Sequence, residues 1–322
     1  MYNGHMNYGF WAKLDKPFTV LAPMANVTDW AFRDIIAQLG RPDVFYTEFI
    51  SADGIDAVGK EKFAGELFYK ETERPIVVQF FTSKPEMMEK AARLAAELGF
   101  DGVDINMGCP DKSVEKQCAG AALIKNPTLA KELIAAAKQG AGNLPISVKT
   151  RLGFNEIQTE TWIPNLLESK IPVLIVHART RKEMSAVPAH WDELGKISEM
   201  AKGTGTLVVG NGDVLSMAEV REKAAAYNLD GIMVGRGIFQ NPWLFNEKID
   251  PVSITPELRI KTMLDHCDNF EKLWLDNRNF DTLKRFFKIY VNHWPGAKDL
   301  RSELMMTKSI LQVREIISQY KK

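Results

Sequence analysis

Eight short apolar runs constrain the fold of this chain more than any other feature. They cover residues 18–24, 43–49, 76–81, 102–106, 146–150, 173–177, 206–210 and 231–234, and most stop at polar residues or glycine. Several are almost continuously hydrophobic, as in Pro75-Ile-Val-Val-Gln-Phe-Phe81. That suits strands covered on both faces, the situation in a parallel sheet wrapped by helices. Most runs are followed by helical periodicity. One such segment has a proline in its first turn after Lys84 and closes on Gly99, while Asn126-Pro127 starts another, expected to run through Ala137. Eight strand–helix units in about 240 residues are what a (β/α)8 TIM barrel requires, and the right-handed crossover rule leaves few other topologies.

The pattern changes after Asn241-Pro242-Trp243. From 255 to 320 there is no strand-like run, only amphipathic helical segments broken near 276–280 and 294–296. The expected organisation is therefore a barrel over 1–250 followed by a small all-helical domain over 251–322. Charge follows the same division. The whole chain balances 41 Lys and Arg against 41 Asp and Glu, yet residues 251–322 hold 13 basic against 9 acidic, leaving 28 against 32 for the rest. A basic tail hints at a polyanionic partner, although a small excess is also common on solvated helices. No stretch approaches the ~20 apolar residues that span a bilayer, and residues 1–15 lack the regions of a signal peptide, so a cytoplasmic protein is expected. The three cysteines, Cys109, Cys118 and Cys267, are odd in number and lack C-x-x-C spacing. Neither a disulfide framework nor a metal site is expected, and buried packing is the plain reading of each thiol.

In a barrel the active site lies at the C-terminal ends of the strands. Here those ends are polar: Ala22-Pro23-Met24-Ala25, Thr47-Glu48, Gln79, Asn106-Met107-Gly108-Cys109-Pro110, Lys149-Thr150-Arg151, His177-Ala178-Arg179-Thr180-Arg181, Asn211-Gly212-Asp213 and Gly235-Arg236-Gly237. Amide, ammonium and imidazole groups at one mouth make a hydrogen-bonding cup for a polar ring. Glycines after the last two strands allow backbone N–H groups to approach a phosphate, so a phosphorylated cofactor is the natural occupant, though a single glycine could be a mere turn. Lys149 would be a costly buried cation unless it meets an anion or acceptor. A reduced flavin is one such partner; Glu48 or Asp104 across the barrel is the structural alternative. His177 reads as a ligand contact or as a satisfied strand-end histidine. Cys109, in a Gly-Cys-Pro turn above the fourth strand, could exchange a proton at a substrate carbon or simply fill the turn, with Cys118 a second candidate. Cys267 reads as helix packing.

Taken in order, these segments resemble the tRNA-dihydrouridine synthase family. The residues that carry the resemblance are Ala22-Pro-Met-Ala-Asn-Val-Thr-Asp29, Thr47-Glu48, Asp104-Ile-Asn-Met-Gly-Cys-Pro110 with Ala119-Gly-Ala-Ala-Leu123, Ser147-Val-Lys-Thr-Arg-Leu-Gly153, His177-Ala-Arg-Thr-Arg181, Gly210-Asn-Gly212 and Val234-Gly-Arg-Gly237. In the tail, Lys284-Arg-Phe-Phe-Lys-Ile-Tyr290 and Gly296-Ala-Lys-Asp-Leu-Arg301 are similar to that family's helical tRNA-binding domain. The resemblance implies an oxidoreductase with tightly bound FMN, reduced by NADPH or NADH, that converts uridine in tRNA to 5,6-dihydrouridine. Hydride would pass from flavin N5 to C6, and Cys109 would protonate C5. It also implies that Pro23, Met24, Ala25 and Gln79 contact the flavin ring, Lys149 its N1 and C2 side, His177 its edge, and Asn211, Gly212, Asp213, Gly235 and Arg236 its phosphate side. Asn106 would hold the uracil. Arg151, Arg179, Arg181, Lys284, Arg285, Lys288 and Arg301 would contact the RNA, and the working form is expected to be a monomer.

Two positions depart from the family pattern. Asn26 stands where glycine is usual, and Glu183-Met184-Ser185 stands where an aromatic is common. The competing readings are an FMN reductase of a free pyrimidine or small enone, against which the basic helical tail argues, and a flavin-free RNA-binding barrel, against which Asn106, Cys109 and Lys149 argue.

Overall fold

A computed structural model describes residues 6–274 and 277–320. Met1–His5, Leu275, Asp276, Lys321 and Lys322 lie outside the described residues, and with them part of the expected break at 276–280 and the ends of the two expected domains.

The eight apolar runs form eight strands: β1 (Phe18–Leu21), β2 (Phe45–Ser51), β3 (Ile76–Phe81), β4 (Gly102–Met107), β5 (Ile146–Arg151), β6 (Val173–His177), β7 (Leu207–Asn211) and β8 (Gly231–Val234). All neighbours are parallel in the order β1-β8-β7-β6-β5-β4-β3-β2. A parallel bridge between Val20 and Val44 joins the first strand to the second and closes the barrel. The helices between them are α1 (Trp30–Leu39), α2 (Ala52–Val58), α3 (Pro85–Glu97), α4 (Pro127–Ala141), α5 (Thr159–Leu167), α6 (Trp191–Ala201) and α7 (Met217–Ala226). A short 3-10 turn, Arg236–Phe239, follows β8.

Helix α4 runs one turn beyond the expected Ala137, through Gly140, and stops at Gly142 with φ +61°. Gly140 is a contact point and not a stop. A Cβ built there would lie 2.0 Å from the carbonyl oxygen of Glu89, so only glycine lets α4 lie this close to α3.

Side-chain alternation along the strands divides the core in two. Val103, Ile105, Met107 and Val148 belong to the layer between strands and helices, whereas Phe18, Val20, Tyr46, Val77, Val173, Ile175, Val209 and Met233 fill the barrel interior with Trp11, on the N-terminal 3-10 turn Gly9–Lys13. Further along the interior-facing positions the residues become polar: Gln79 after Val77, Asn106 after Asp104, His177 after Ile175, and Asn211 after Val209. The apolar plug supports a polar cup.

The tail contains α8 (Pro256–Trp274), α9 (Asp281–Tyr290), α10 (Ala297–Met306) and α11 (Ile310–Gln319). The breaks before α9 and α10 are the expected ones; the one at Thr307–Ser309 carries no glycine or proline to announce it. Helix α8 lies along α1. Asn269 donates to Asp34 (2.9 Å), Trp274 Nε1 donates to Asp29 (2.7 Å), and the rings of Phe32, His266 and Phe286 cluster within 4.6–5.5 Å. One hydrophobic layer runs without a gap from the barrel helices into α8 and α9.

Candidate active site

The cup gathers Pro23, Phe49, Gln79, Asn106, Gly108, Cys109, Pro110, Lys149 and Arg151 around one cleft at the C-terminal ends of the strands. A roomier depression lies at the opposite end, among Lys16, Pro17 and Asp230. That end of a parallel barrel contributes stability rather than chemistry, and Lys16 is paired there with Asp230 at 2.5 Å.

Lys149 is placed by β5, and its Nζ donates to Asn211 Oδ1 at 3.0 Å. Neither acid considered as a partner reaches it. Glu48 pairs with Arg278 (3.2 Å), and Asp104 accepts from Gln79 (2.6 Å) and Ser147 (2.5 Å). Among the described residues no carboxylate forms an ion pair with Lys149. Burial, with Arg151 nearby, pushes its ammonium down to about 8. The cation thus faces the cup without an ion-pair partner, Asp104 acting on it only from a distance. Asn211 is held in turn through its own N–H donated to Met233 O (2.8 Å).

His177 is pushed well below its ordinary value, first by burial and then by Arg151, Lys149 and Arg179, so the ring is neutral. Its Nε2 faces Arg179 Nη1 at 3.3 Å and accepts there, which assigns the ring proton to Nδ1. Cys109 is half-buried at the rim, and burial raises its thiol while Arg151 and Lys149 partly offset that. A raised thiol keeps its proton at neutral pH, the state an acid needs. The turn beneath it is fixed by Asn106, whose Oδ1 accepts from the N–H of Gly108 (3.1 Å) and of Cys109 (2.9 Å), while its Nδ2 donates to Gln79 Oε1 (2.9 Å). Cys118 is exposed and does not line the cleft. Cys267 is buried in α8, its thiol pushed up to about 12.

The arginines are distributed differently from a row of free cations. Arg151 donates to the carbonyls of Gly108 (2.7 Å), Thr180 (3.0 Å) and Met184 (3.1 Å). Arg179 is buried, donating to Val187 O (2.6 Å) and pairing with Asp213. Asp213 also takes Arg236 at 3.0 Å, which links the β7 and β8 turns beside Gly212 and Gly235. Arg181 forms a two-pronged pair with Glu115 and lies over the Phe154 ring, whose other neighbour is the exposed Lys125 at 4.3 Å. Pro23 and Met24 are half-buried in the turn that follows β1 at the mouth, and Ala25 is exposed.

The family model of the dihydrouridine synthases (Dus) matches residues 20–319. The chain belongs to this family. It is 42% identical over 323 residues to a probable tRNA-dihydrouridine synthase 2 of Bacillus subtilis (strain 168), covering 98% of each chain. It is 40% identical over 320 residues to a probable tRNA-dihydrouridine synthase of Staphylococcus aureus (strain COL), covering 98% of this chain and 96% of that one. Among solved structures, histamine dehydrogenase from Rhizobium sp. 4-9 aligns with a TM-score of 0.51 at 13% identity, over 78% of this chain and 48% of that one, a likeness of fold alone.

The two departures from the dihydrouridine synthase pattern have physical readings. Asn26 has φ +55°, the left-handed region where glycine is free of strain and asparagine is the best tolerated alternative. Its N–H donates to Glu48, so the exchange keeps the loop. Met184 also has a positive φ, +52°, and is exposed on the β6 loop, where its carbonyl is gripped by Arg151.

Sequence reasoning missed Arg278. From the segment after α8 it reaches Asp29 (3.1 Å) and Glu48 (3.2 Å) while stacking 3.6 Å from the centre of the Trp274 ring. Burial and the neighbouring Asp29 carboxyl raise Glu48 to about 7, with Arg278 working against the rise. Nothing in the local sequence marks this arginine. The tail cations also differ from one another. Arg285 and Lys288 on α9 and Lys298 on α10 are exposed, with no acidic partner among the described residues. Lys284 is buried and paired with Asp281 (2.8 Å), and Arg301 donates to Val291 O (2.9 Å).

Proposed function

We propose that this dihydrouridine synthase reduces uridine in tRNA to 5,6-dihydrouridine with FMN as its resident cofactor, NADPH as reductant and Cys109 as the acid. The observation that carries the reading is the Lys149 ammonium, without an ion-pair partner among the described residues, beside a protonated thiol at a polar barrel mouth. The donor set fits a flavin. Lys149 supplies a cation where negative charge collects at N1 and the C2 carbonyl, with neutral His177 at the ring edge. Gln79, Pro23, Met24 and Ala25 would hold the ring, and the Asn211-Gly212-Asp213 and Gly235-Arg236 turns would hold the phosphate. FMN, when bound, supplies the hydride that saturates the pyrimidine.

The residues of the chain do the rest. Asn106 keeps one amide N–H beyond its bond to Gln79, available to the uracil edge, and Cys109 delivers its proton to C5 as charge builds there. Because the target base is stacked in folded RNA it must be turned out into the cup. The exposed Arg285 and Lys288 of the tail and the exposed Lys125 of the rim face the phosphates while that happens, and Arg151 and Arg181, held by loop carbonyls and by Glu115, shape the rim beside Lys125. Lys284, Arg179 and Arg301 hold these surfaces in shape. The 251–322 segment is the tRNA-gripping domain of a monomer, and a tRNA substrate puts the enzyme in the cytoplasm. No helix among the described residues is long and apolar enough to cross a membrane.

The test is direct. Purified protein given FMN, NADPH and unmodified tRNA should raise dihydrouridine by mass spectrometry of tRNA digests. Protein that cannot be loaded with FMN, or that forms no dihydrouridine when loaded, ends this reading.

A further inference from the structure

The hydrogen bonds beneath the cup form one unbroken chain with a fixed polarity. It begins at Asp104, fully buried inside the barrel on β4. Burial pushes this carboxyl up to about 7, with the Ser147 and Gln79 hydrogen bonds working against the rise, so above that pH it is an ion. Ser147 Oγ spends its only hydrogen on Asp104 Oδ1 (2.5 Å), so Tyr46 OH, 3.1 Å from Ser147 Oγ, donates to that oxygen. The other carboxylate oxygen, Oδ2, accepts from Gln79 Nε2 (2.6 Å). Gln79 Oε1 is then turned to accept from Asn106 Nδ2 (2.9 Å), which turns Asn106 Oδ1 toward the N–H groups of Gly108 (3.1 Å) and Cys109 (2.9 Å).

Each amide in such a chain could be rotated end for end. Its orientation is decided by its neighbours and not by its own shape. Here both ends agree. An ionised carboxylate only accepts, and backbone N–H groups only donate, so the Gln79 and Asn106 amides have one consistent arrangement. Every residue of the chain lies on β2, β3, β4 or β5 or on the turn that follows β4. We infer that Asp104 is a positioning residue: its carboxylate sets the orientation of Gln79 and Asn106 and, through them, the turn that presents Cys109. The inference rests on the reading of Cys109 as the proton donor at this mouth.

Asp104 touches neither the cleft nor Lys149. Asp104→Leu keeps the branched outline, though with bulkier methyls, and removes the acceptor, leaving the Gln79 amide free to turn. The expected result is faster hydrogen–deuterium exchange confined to residues 107–111 and faster alkylation of Cys109 by iodoacetamide. Dihydrouridine formation from the pre-reduced enzyme should fall about 10–100-fold, the cost of misplacing a reacting group by roughly an ångström. Flavin reduction by NADPH should fall several-fold less than dihydrouridine formation, because Lys149 and His177 keep their places and only the Gln79 amide is loosened on the ring side. Asp104→Asn retains one acceptor oxygen for Gln79, with its amide N–H turned to Ser147, and should restore exchange protection and most of the rate.

Unchanged exchange at 107–111 in Asp104→Leu overturns the inference, as does a parallel loss of both half-reactions that Asp104→Asn fails to rescue. If Asp104→Leu does not fold, Gln79→Met cuts the chain one link further on, and unchanged exchange there is equally fatal. Wild-type enzyme that forms no dihydrouridine would instead defeat the functional reading, while the exchange arm would still decide the relay.

Discussion

Lys149 in the barrel mouth and Lys284 in the tail are both lysines withdrawn from bulk water, and the protein treats them in opposite ways. Lys284 ends against Asp281 one turn away, an ordinary helix pair that neutralises it. Lys149 is given only the neutral Asn211, although Asp104 stands on the adjoining strand β4 and Glu48 on β2 of the same barrel. Those two acids are claimed by other groups, Glu48 by Arg278 and Asp104 by Gln79 and Ser147. The difference separates a charge held for packing from a charge held for a ligand. Burying a cation without a counter-ion costs stability, and a site that tolerates the cost gains it back when an anion arrives.

The largest expected effect is Cys109→Ala, which should lower dihydrouridine formation about 10²–10⁴-fold while leaving flavin reduction by NADPH intact; equal activity would remove Cys109 as the acid. Next, Lys149→Met should slow flavin reduction about 10²–10³-fold, measured by stopped-flow absorbance, whereas Lys284→Met should not change it. If the two lysines behave alike, the contrast is empty.

A smaller effect concerns pH. With Lys149 depressed to about 8, its ammonium is present below that pH and lost above it. Flavin reduction should therefore fall as pH rises through 8 or somewhat above, by up to about tenfold per unit, and Lys149→Arg should flatten the profile. The stability sign is opposite. Between about 8 and the ordinary 10.5 the folded cofactor-free protein holds fewer protons on this lysine than the unfolded chain, so this group makes stability rise with pH there.

In the tail, Arg285→Glu with Lys288→Glu should weaken tRNA binding about 10–100-fold at low salt and reduce the salt slope by about one for each phosphate no longer neutralised. Lys284→Glu or Lys284→Met read in the same titration separates packing from grip. Affinity within about twofold of wild type in Lys284→Met would place that lysine with the packing, the smallest effect of the series.

Much of this was legible in the chain. Near-continuous apolar runs such as 76–81 announced strands covered on both faces, and the polar residues ending them announced the mouth, because alternation and burial are local properties of a strand. Gly140 shows the limit of that reading. A glycine near the end of a helical pattern reads locally as a stop, yet this one is the point where two helices touch, which depends on the partner. Asn26 is the reverse case: an apparent departure became ordinary once its left-handed backbone was known. Arg151, Arg179 and Arg181 are alike in sequence, yet one grips carbonyls, one is buried with Asp213 and one is paired with Glu115. Which cation is spent and which is free is decided by residues far away in the chain.

The sequence by itself determined the barrel, the helical tail and the polar ring of strand ends, since these follow from periodicity and residue type. The tertiary structure alone decided that Lys149 has no counter-ion among the described residues, that Arg278 crosses from the tail to Glu48, and that Asp104 stands at the head of the chain leading to Cys109. Those are matters of which groups meet across the barrel, and hydrogen-bond and charge pairing between strands is a property of distance and direction that no local pattern encodes.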